Sequence, residues 1–165
     1  MKVAFSPLGS HVAAGCVDGK ACLLDATTGK PIAVFHHSGR VHSVTFSHDG
    51  CWMACGDSEW KVKVWDLATR QQICALPDRH THYVYGLAFS PNGKYLASAS
   101  WREVIVWDVA TCQPLKNLGG LEGDLLCVTF SPDSKFLAAS GGYKGKGEIK
   151  IWDASLWEKA SVVGP

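Results

Sequence analysis

Polar and apolar residues alternate in short runs along this chain, and glycine, aspartate and serine break the runs at regular intervals. In Lys61-Val-Lys-Val-Trp65 the alternation has period two, the mark of a strand with unlike faces. Upstream, Val41-His-Ser-Val-Thr-Phe46 is a short run rich in β-branched residues. Ser47-His-Asp-Gly50 then reads as a turn whose glycine is free to take positive φ, and Trp52-Met-Ala-Cys55 as a second run. Gly56 to Trp60 makes a second turn before the Lys61 run, and Asp66 to Arg70 a third before Gln72-Ile-Cys-Ala-Leu76. This stretch predicts four short antiparallel strands joined by tight turns. Such a sheet has two apolar faces and must stack on another. No stretch carries a sustained 3.6-residue period, so helices are not expected.

The same stretch is written four times. Phe5-Ser-Pro-Leu-Gly, Phe46-Ser-His-Asp-Gly, Phe89-Ser-Pro-Asn-Gly and Phe130-Ser-Pro-Asp-Ser begin with phenylalanines spaced by 41, 43 and 41 residues. A Trp-Asp pair travels with them at Trp65-Asp66, Trp107-Asp108 and Trp152-Asp153, and Leu24-Asp25 takes its place in the first copy. Thr28-Gly29, Thr69-Arg70 and Thr111-Cys112 occupy equivalent places in the third turn. Repetition at this period favours radial stacking of sheets into a propeller, which leaves only short protected edges. A β-sandwich would not need the repetition.

Phe5-Ser-Pro-Leu-Gly and its copies, together with the recurring Trp-Asp, resemble the WD40-repeat family over essentially the whole chain. The resemblance implies an all-β fold of four four-stranded antiparallel sheets, arranged as propeller blades in an open arc or part of a larger propeller. The expected blades are 1–36, 37–77, 78–119 and 120–165 of a single domain. It also implies that the innermost strand of each blade comes first. The loops before that strand and between the second and third strands then share the face where family members bind partners, typically as rigid platforms for protein complexes. Each blade of the family carries a hydrogen-bonded set of histidine, aspartate, tryptophan and a small hydroxyl. Here His37 and His80 match the histidine, Trp65, Trp107 and Trp152 the tryptophan, and Asp18 the aspartate, with Glu59 as an imperfect substitute. Leu121 and Leu24 stand where the family has histidine and tryptophan, so no unit is expected to hold a complete set.

Composition narrows the function. Sixteen basic and fifteen acidic side chains nearly cancel, which offers no basic footprint for phosphate. Seven cysteines are spread through the repeats without a Cys-x-x-Cys pair, so free thiols in an intracellular, reducing compartment are expected rather than a disulfide framework or zinc knuckle. No apolar stretch approaches the roughly 20 residues of a membrane span. His36-His37 and His80-x-His82 lack carboxylate or thiol partners at metal-ligand spacing. Asp25, Asp66, Asp108 and Asp153 recur with the blades, as do Ser6, Ser47, Ser90 and Ser131, and read as turn residues. No enzyme, metal or cofactor is expected, and the cytoplasm or nucleus is the expected location.

The departures between repeats mark candidate sites. From the marker phenylalanine to the tryptophan position is 19 residues in units one and two, 18 in unit three and 22 in unit four. Both changes fall in the second turn, where unit four has Gly141-Gly-Tyr-Lys-Gly-Lys-Gly147, read as a flexible turn. Trp60 and Trp101 also fall in second turns, where an aromatic either folds over the core or anchors a partner. Arg40, His42, Tyr83, Tyr85 and Asp124 occur at or just before the inner strands, on the same rim. With Trp60, Trp101, Arg102 and Lys144 they make a mixed aromatic and polar surface suited to a protein or peptide, of the side-chain types that dominate interfaces. The leading expectation is a scaffold or adaptor. The alternative is a nucleic-acid or anion-binding module built on Arg102, Lys144 and Lys146. Four units in plain order also leave no strand to close a ring, and Ser161-Val-Val-Gly164 falls where a last outer strand is expected. Apolar faces on units one and four should then invite self-association.

Overall fold

The computed structural model describes residues 2–155 and 157. Its first sheet holds β1 (Val3–Phe5), β2 (His11–Gly15), β3 (Lys20–Asp25) and β4 (Pro31–His36), hydrogen-bonded in that order. The second holds β5 (Val41–Phe46), β6 (Trp52–Asp57), β7 (Val62–Asp66) and β8 (Gln72–Ala75). The third holds β9 (Gly86–Phe89), β10 (Tyr95–Ala99), β11 (Val104–Asp108) and β12 (Gln113–Leu118). The fourth shows β13 (Asp124–Phe130), β14 (Phe136–Tyr143) and β15 (Lys146–Asp153); the expected strand near 161–164 lies outside the described residues. All pairings are antiparallel.

The repeated first and third turns are closed by their own side chains. Ser47, Ser90 and Ser131 donate to Asp49, Asn92 and Asp133 at 2.6–2.7 Å and accept the N–H of Trp52, Tyr95 and Phe136, which fixes the first turn of three blades. Asp25, Asp66 and Asp108 each accept both the N–H and the hydroxyl of a threonine three residues on, closing the third turn. Positive φ at Gly29, Arg70 and Cys112 confirms their equivalence. The glycine-rich stretch of blade four is a different matter. Its extra residues lengthen β14 and β15, which pair as far as Tyr143 with Lys146, so Lys144 and Gly145 form a two-residue hairpin turn rather than a loose loop.

The core lies between blades, as two-faced sheets require. Phe35, Leu23, Val44, Phe46 and Met53 pack blade one on blade two. Val62, Val64, Leu87, Phe89 and Trp107 pack two on three, and Val104, Val106, Val128, Phe130 and Leu137 pack three on four. Among the described residues there is no corresponding core between blades four and one: the arc is open. Its ends show it. Phe46, Phe89 and Phe130 are buried, while the equivalent Phe5 is 67% exposed. Val104 and Val106 are buried, while Ile149 and Ile151, their counterparts in blade four, are 76% and 63% exposed.

The polar sets are more complete than the sequence suggested. In blade three, His80 Nδ1 meets Glu103 at 2.9 Å, its Nε2 meets the Ser98 hydroxyl at 2.6 Å, and the Trp107 indole N–H donates to the same hydroxyl at 2.7 Å. The turn there is one residue shorter, which brings Glu103 to the place where no acid was expected. In blade two the partner of His37 is Asp57 at 3.1 Å, not Glu59, because Asp57 ends β6 with its side chain fully buried. Asp57 also accepts the N–H of Glu59 and Lys61 and so shapes the second turn. Asp18, by contrast, is on the surface, paired with Lys20. Blade one has Leu24 in place of the tryptophan, and blade four keeps Trp152 but has the buried Leu121 in place of the histidine. Blade two keeps both rings without the hydroxyl between them: Cys55 stands in the place of Ser98, and His37 Nε2 and the Trp65 indole nitrogen are buried without partners.

The cysteines also depart from expectation. Cys74 in β8 and Cys112 in the turn after β11 form a disulfide across 6.0 Å between Cα atoms, which ties blade two to blade three. Both sit in or against the shared core, and that proximity, created by the stacking, is invisible in spacing along the chain. Cys16, Cys22, Cys51, Cys55 and Cys127 are free.

Candidate functional site

Tyr83 and Tyr85 lie just ahead of β9, Trp101 sits in the turn between β10 and β11, and Asp124 opens β13. Because inner strands run side by side, these four converge on one rim, where Trp101 also bridges Asp124 through the backbone. The rings meet in two groups. His42 of β5 stacks on Tyr83 at 5.4 Å and meets Tyr85 edge-on at 5.3 Å, and the two tyrosines are 5.9 Å apart. His82 stacks on Trp101 at 5.6 Å, and Tyr143 of blade four meets Trp101 edge-on at 5.4 Å. An aromatic band therefore crosses three blades.

A pocket of about 320 Å³ opens within the band, lined by His82, Tyr83, Tyr85, Trp101 and Asp124. Trp101 is half-buried and belongs to none of the blade cores. Burial pushes the Tyr85 hydroxyl pKa up, and the Asp124 charge adds to it. Burial likewise lowers the His42 pKa, with Arg40 in the same direction. His42 Nε2 is buried without a partner.

The other expected residues are distributed less tightly. Trp60 is 48% exposed at a left-handed turn position and outside the cores, but makes no ring contact with the band among the described residues. Arg40 is exposed, and its backbone N–H donates to Ser58. Arg102 and Lys144 occupy left-handed positions in the second turns of blades three and four, and the Lys144 ammonium lies 5.2 Å from the Tyr143 ring. Lys146 opens β15, exposed. Sequence reading singled out neither His82 nor Tyr143 for this face; what could have found them was the recurrence of aromatics ahead of inner strands and in second turns.

The family model for the WD domain, G-beta repeat, matches residues 1–25, 29–66, 71–108 and 112–153. The chain is a WD40-repeat protein. It is 29% identical over 97% of its length to pre-mRNA-processing factor 19 homolog 2 of Arabidopsis thaliana, covering 29% of that protein. It is 35% identical over 68% of its length to WD repeat and SOCS box-containing protein 1 of Xenopus tropicalis, and 34% identical over 68% to poly(A)+ RNA export protein of Schizosaccharomyces pombe. Those alignments cover 26% and 34% of the two proteins, so the WD40 chain spans only a part of such relatives. Its fold matches a chain of Kuenenia stuttgartiensis hydrazine synthase with a TM-score of 0.84 at 21% identity, over 94% of this chain and 46% of that one. That likeness concerns the blades alone. WD40 repeats of this kind are protein-interaction modules. Among the described residues no cluster of His, Cys, Asp and Glu is placed to hold a metal ion, and no helix is long and apolar enough to cross a membrane.

Proposed function

We propose that the chain is a non-catalytic scaffold or adaptor that captures a partner protein or peptide on the rim formed by Tyr83, Tyr85, Trp101 and Asp124. The observation that carries this reading is the pair of aromatic groups outside the cores, His42–Tyr83–Tyr85 and His82–Trp101–Tyr143, with a pocket between them. Rigid aromatics give large contact area at small entropic loss, and a few of them dominate binding. Trp60 and Arg40 extend the surface toward blade two. The test is selection of peptides on immobilised protein, followed by titration against W101A and Y85A. Loss of a central anchor should weaken binding about thirtyfold or more, the equivalent of about 2 kcal/mol. Variants that keep the wild-type melting curve and bind as tightly as wild type would end the proposal. So would binding of an oligonucleotide at low salt that W101A leaves intact and added salt abolishes, which would favour Arg102, Lys144 and Lys146 instead.

Self-association through the end blades is a second element of the proposal. The leading face of blade one presents Val3 and Phe5, whose counterparts Val44 and Phe46 pack on the trailing face of blade one. Blade four presents a trailing face of that same kind in Ile149 and Ile151. A head-to-tail contact between two copies would repeat the contact already made between blades, and two such contacts would close an eight-bladed ring. Light scattering on the 165-residue chain should therefore give about twice its 17.8 kDa. A clean 17.8 kDa particle that unfolds cooperatively excludes it.

A further inference from the structure

The geometry points to a quaternary or methylated ammonium group as what the pocket between blades three and four takes. This deepens the interaction reading above and rests on it. Four of the five residues lining the pocket are aromatic or imidazole rings, and the fifth is a carboxylate. Ring faces carry negative charge density that attracts cations, most strongly those that shed water easily. The Asp124 carboxylate is half-buried, accepts no side-chain hydrogen bond and forms no ion pair among the described residues. Its charge is felt at Tyr85, where it adds to burial in holding the proton on the hydroxyl. A half-buried, unpaired anion among aromatic walls is costly alone and is relieved by a cation. The walls choose between cations. A primary ammonium carries three N–H donors and a guanidinium five, and most would face rings that accept hydrogen bonds poorly. A trimethylammonium group donates none and presents only methyl surface with a spread charge. Trp101 is braced for this role by His82 on one side and Tyr143 on another, so the wall is set before the ligand arrives.

The carrier is a peptide side chain, a methylated lysine, since further rings, His42 beside Tyr85 and Tyr143 beside Trp101, flank the pocket and offer contacts to neighbouring residues. The experiment titrates the folded protein with three synthetic peptides that differ at one position: trimethyllysine, unmodified lysine, and the neutral isostere in which carbon replaces the ammonium nitrogen. The trimethyllysine peptide should bind at least tenfold more tightly than either of the others. D124N should reduce that advantage severalfold, and W101A should remove it. Equal binding of the charged peptide and its neutral isostere overturns the inference, as does a D124N variant indistinguishable from wild type. The broader interaction reading fails differently. If peptides without any methylated lysine are captured and W101A or Y85A releases them, the face stands and the ammonium assignment falls.

Discussion

Replacing Asp57 with alanine should destabilise the protein by about 3–5 kcal/mol at neutral pH, the loss expected when a buried carboxylate's hydrogen bonds to His37, Glu59 and Lys61 are removed and their donors left unpaired. The carboxylate is fully buried at the end of β6 and does two jobs. It receives His37 Nδ1 at 3.1 Å, and it accepts the N–H of both Glu59 and Lys61. Alanine therefore strands an imidazole and opens a turn. Burial works against ionisation of Asp57, but hydrogen bonds from His37 and the Lys61 and Glu59 amides outweigh it, and its pKa is lowered. Glu103 behaves alike: burial opposes ionisation, and His80 and Asn117 outweigh it.

The sign of the pH effect follows. A carboxyl whose folded pKa is depressed contributes stability that is complete above its unfolded value, about 4, and is lost as pH falls through the folded value. Urea unfolding of wild type should weaken below about pH 4, and the gap between wild type and D57A should narrow in the same range. A D57A variant as stable as wild type at pH 7 contradicts the assignment. So does a gap that stays constant down to pH 2.

Asp57 also shows where sequence reading stops. The blades were legible because Phe46, Phe89, Phe130 and the Trp-Asp pairs recur at a fixed period, and stacking two-faced sheets leaves few arrangements. The equivalence of Gly29, Arg70 and Cys112 in the third turn was legible too, since turn chemistry is local; their shared left-handed φ shows only in the structure. The polar partners were not. Whether Asp57 or Glu59 reaches His37 depends on where β6 ends and which way its last side chain points, a matter of one or two residues. Glu103 reaches His80 only because a turn is shorter by one. The Cys74–Cys112 link depends on blade-to-blade distance and leaves no trace in spacing. At the rim, Tyr83, Tyr85, Trp101 and Asp124 were picked out by residue type and place, and the structure brings them round one pocket. Trp60 was picked by the same rule and stands apart, because its turn belongs to the neighbouring blade.

The reciprocal exchange at Cys55 and Ser98 should move stability in opposite directions. Blades two and three place histidine and tryptophan alike, with ring centroids 6.3 Å apart in both. They differ in the atom between. Ser98 accepts the Trp107 N–H and donates to His80 Nε2, so Nδ1 carries the proton shared with Glu103 and every atom is satisfied. Cys55 offers sulfur, a weak donor and acceptor, and the two nitrogens facing it are orphans. Burial also drives the Cys55 thiol pKa far up, so no thiolate compensates. Cys55→Ser should therefore stabilise by about 1–2 kcal/mol, and Ser98→Ala should destabilise by about 3 kcal/mol, since it orphans two buried groups at once. Indole proton exchange separates these effects from general packing: Trp65 N–H should slow in C55S, and Trp107 N–H should quicken in S98A. A C55S variant that is less stable than wild type, with Trp65 exchange unchanged, would show that blade two holds its rings by packing alone. Blade one does without the rings, with Leu24 in the tryptophan's place, and such an apolar site leaves nothing unsatisfied; blade four keeps Trp152 but has Leu121 in place of the histidine. A half-built set is the worse state, which is why a single oxygen at position 55 is expected to matter.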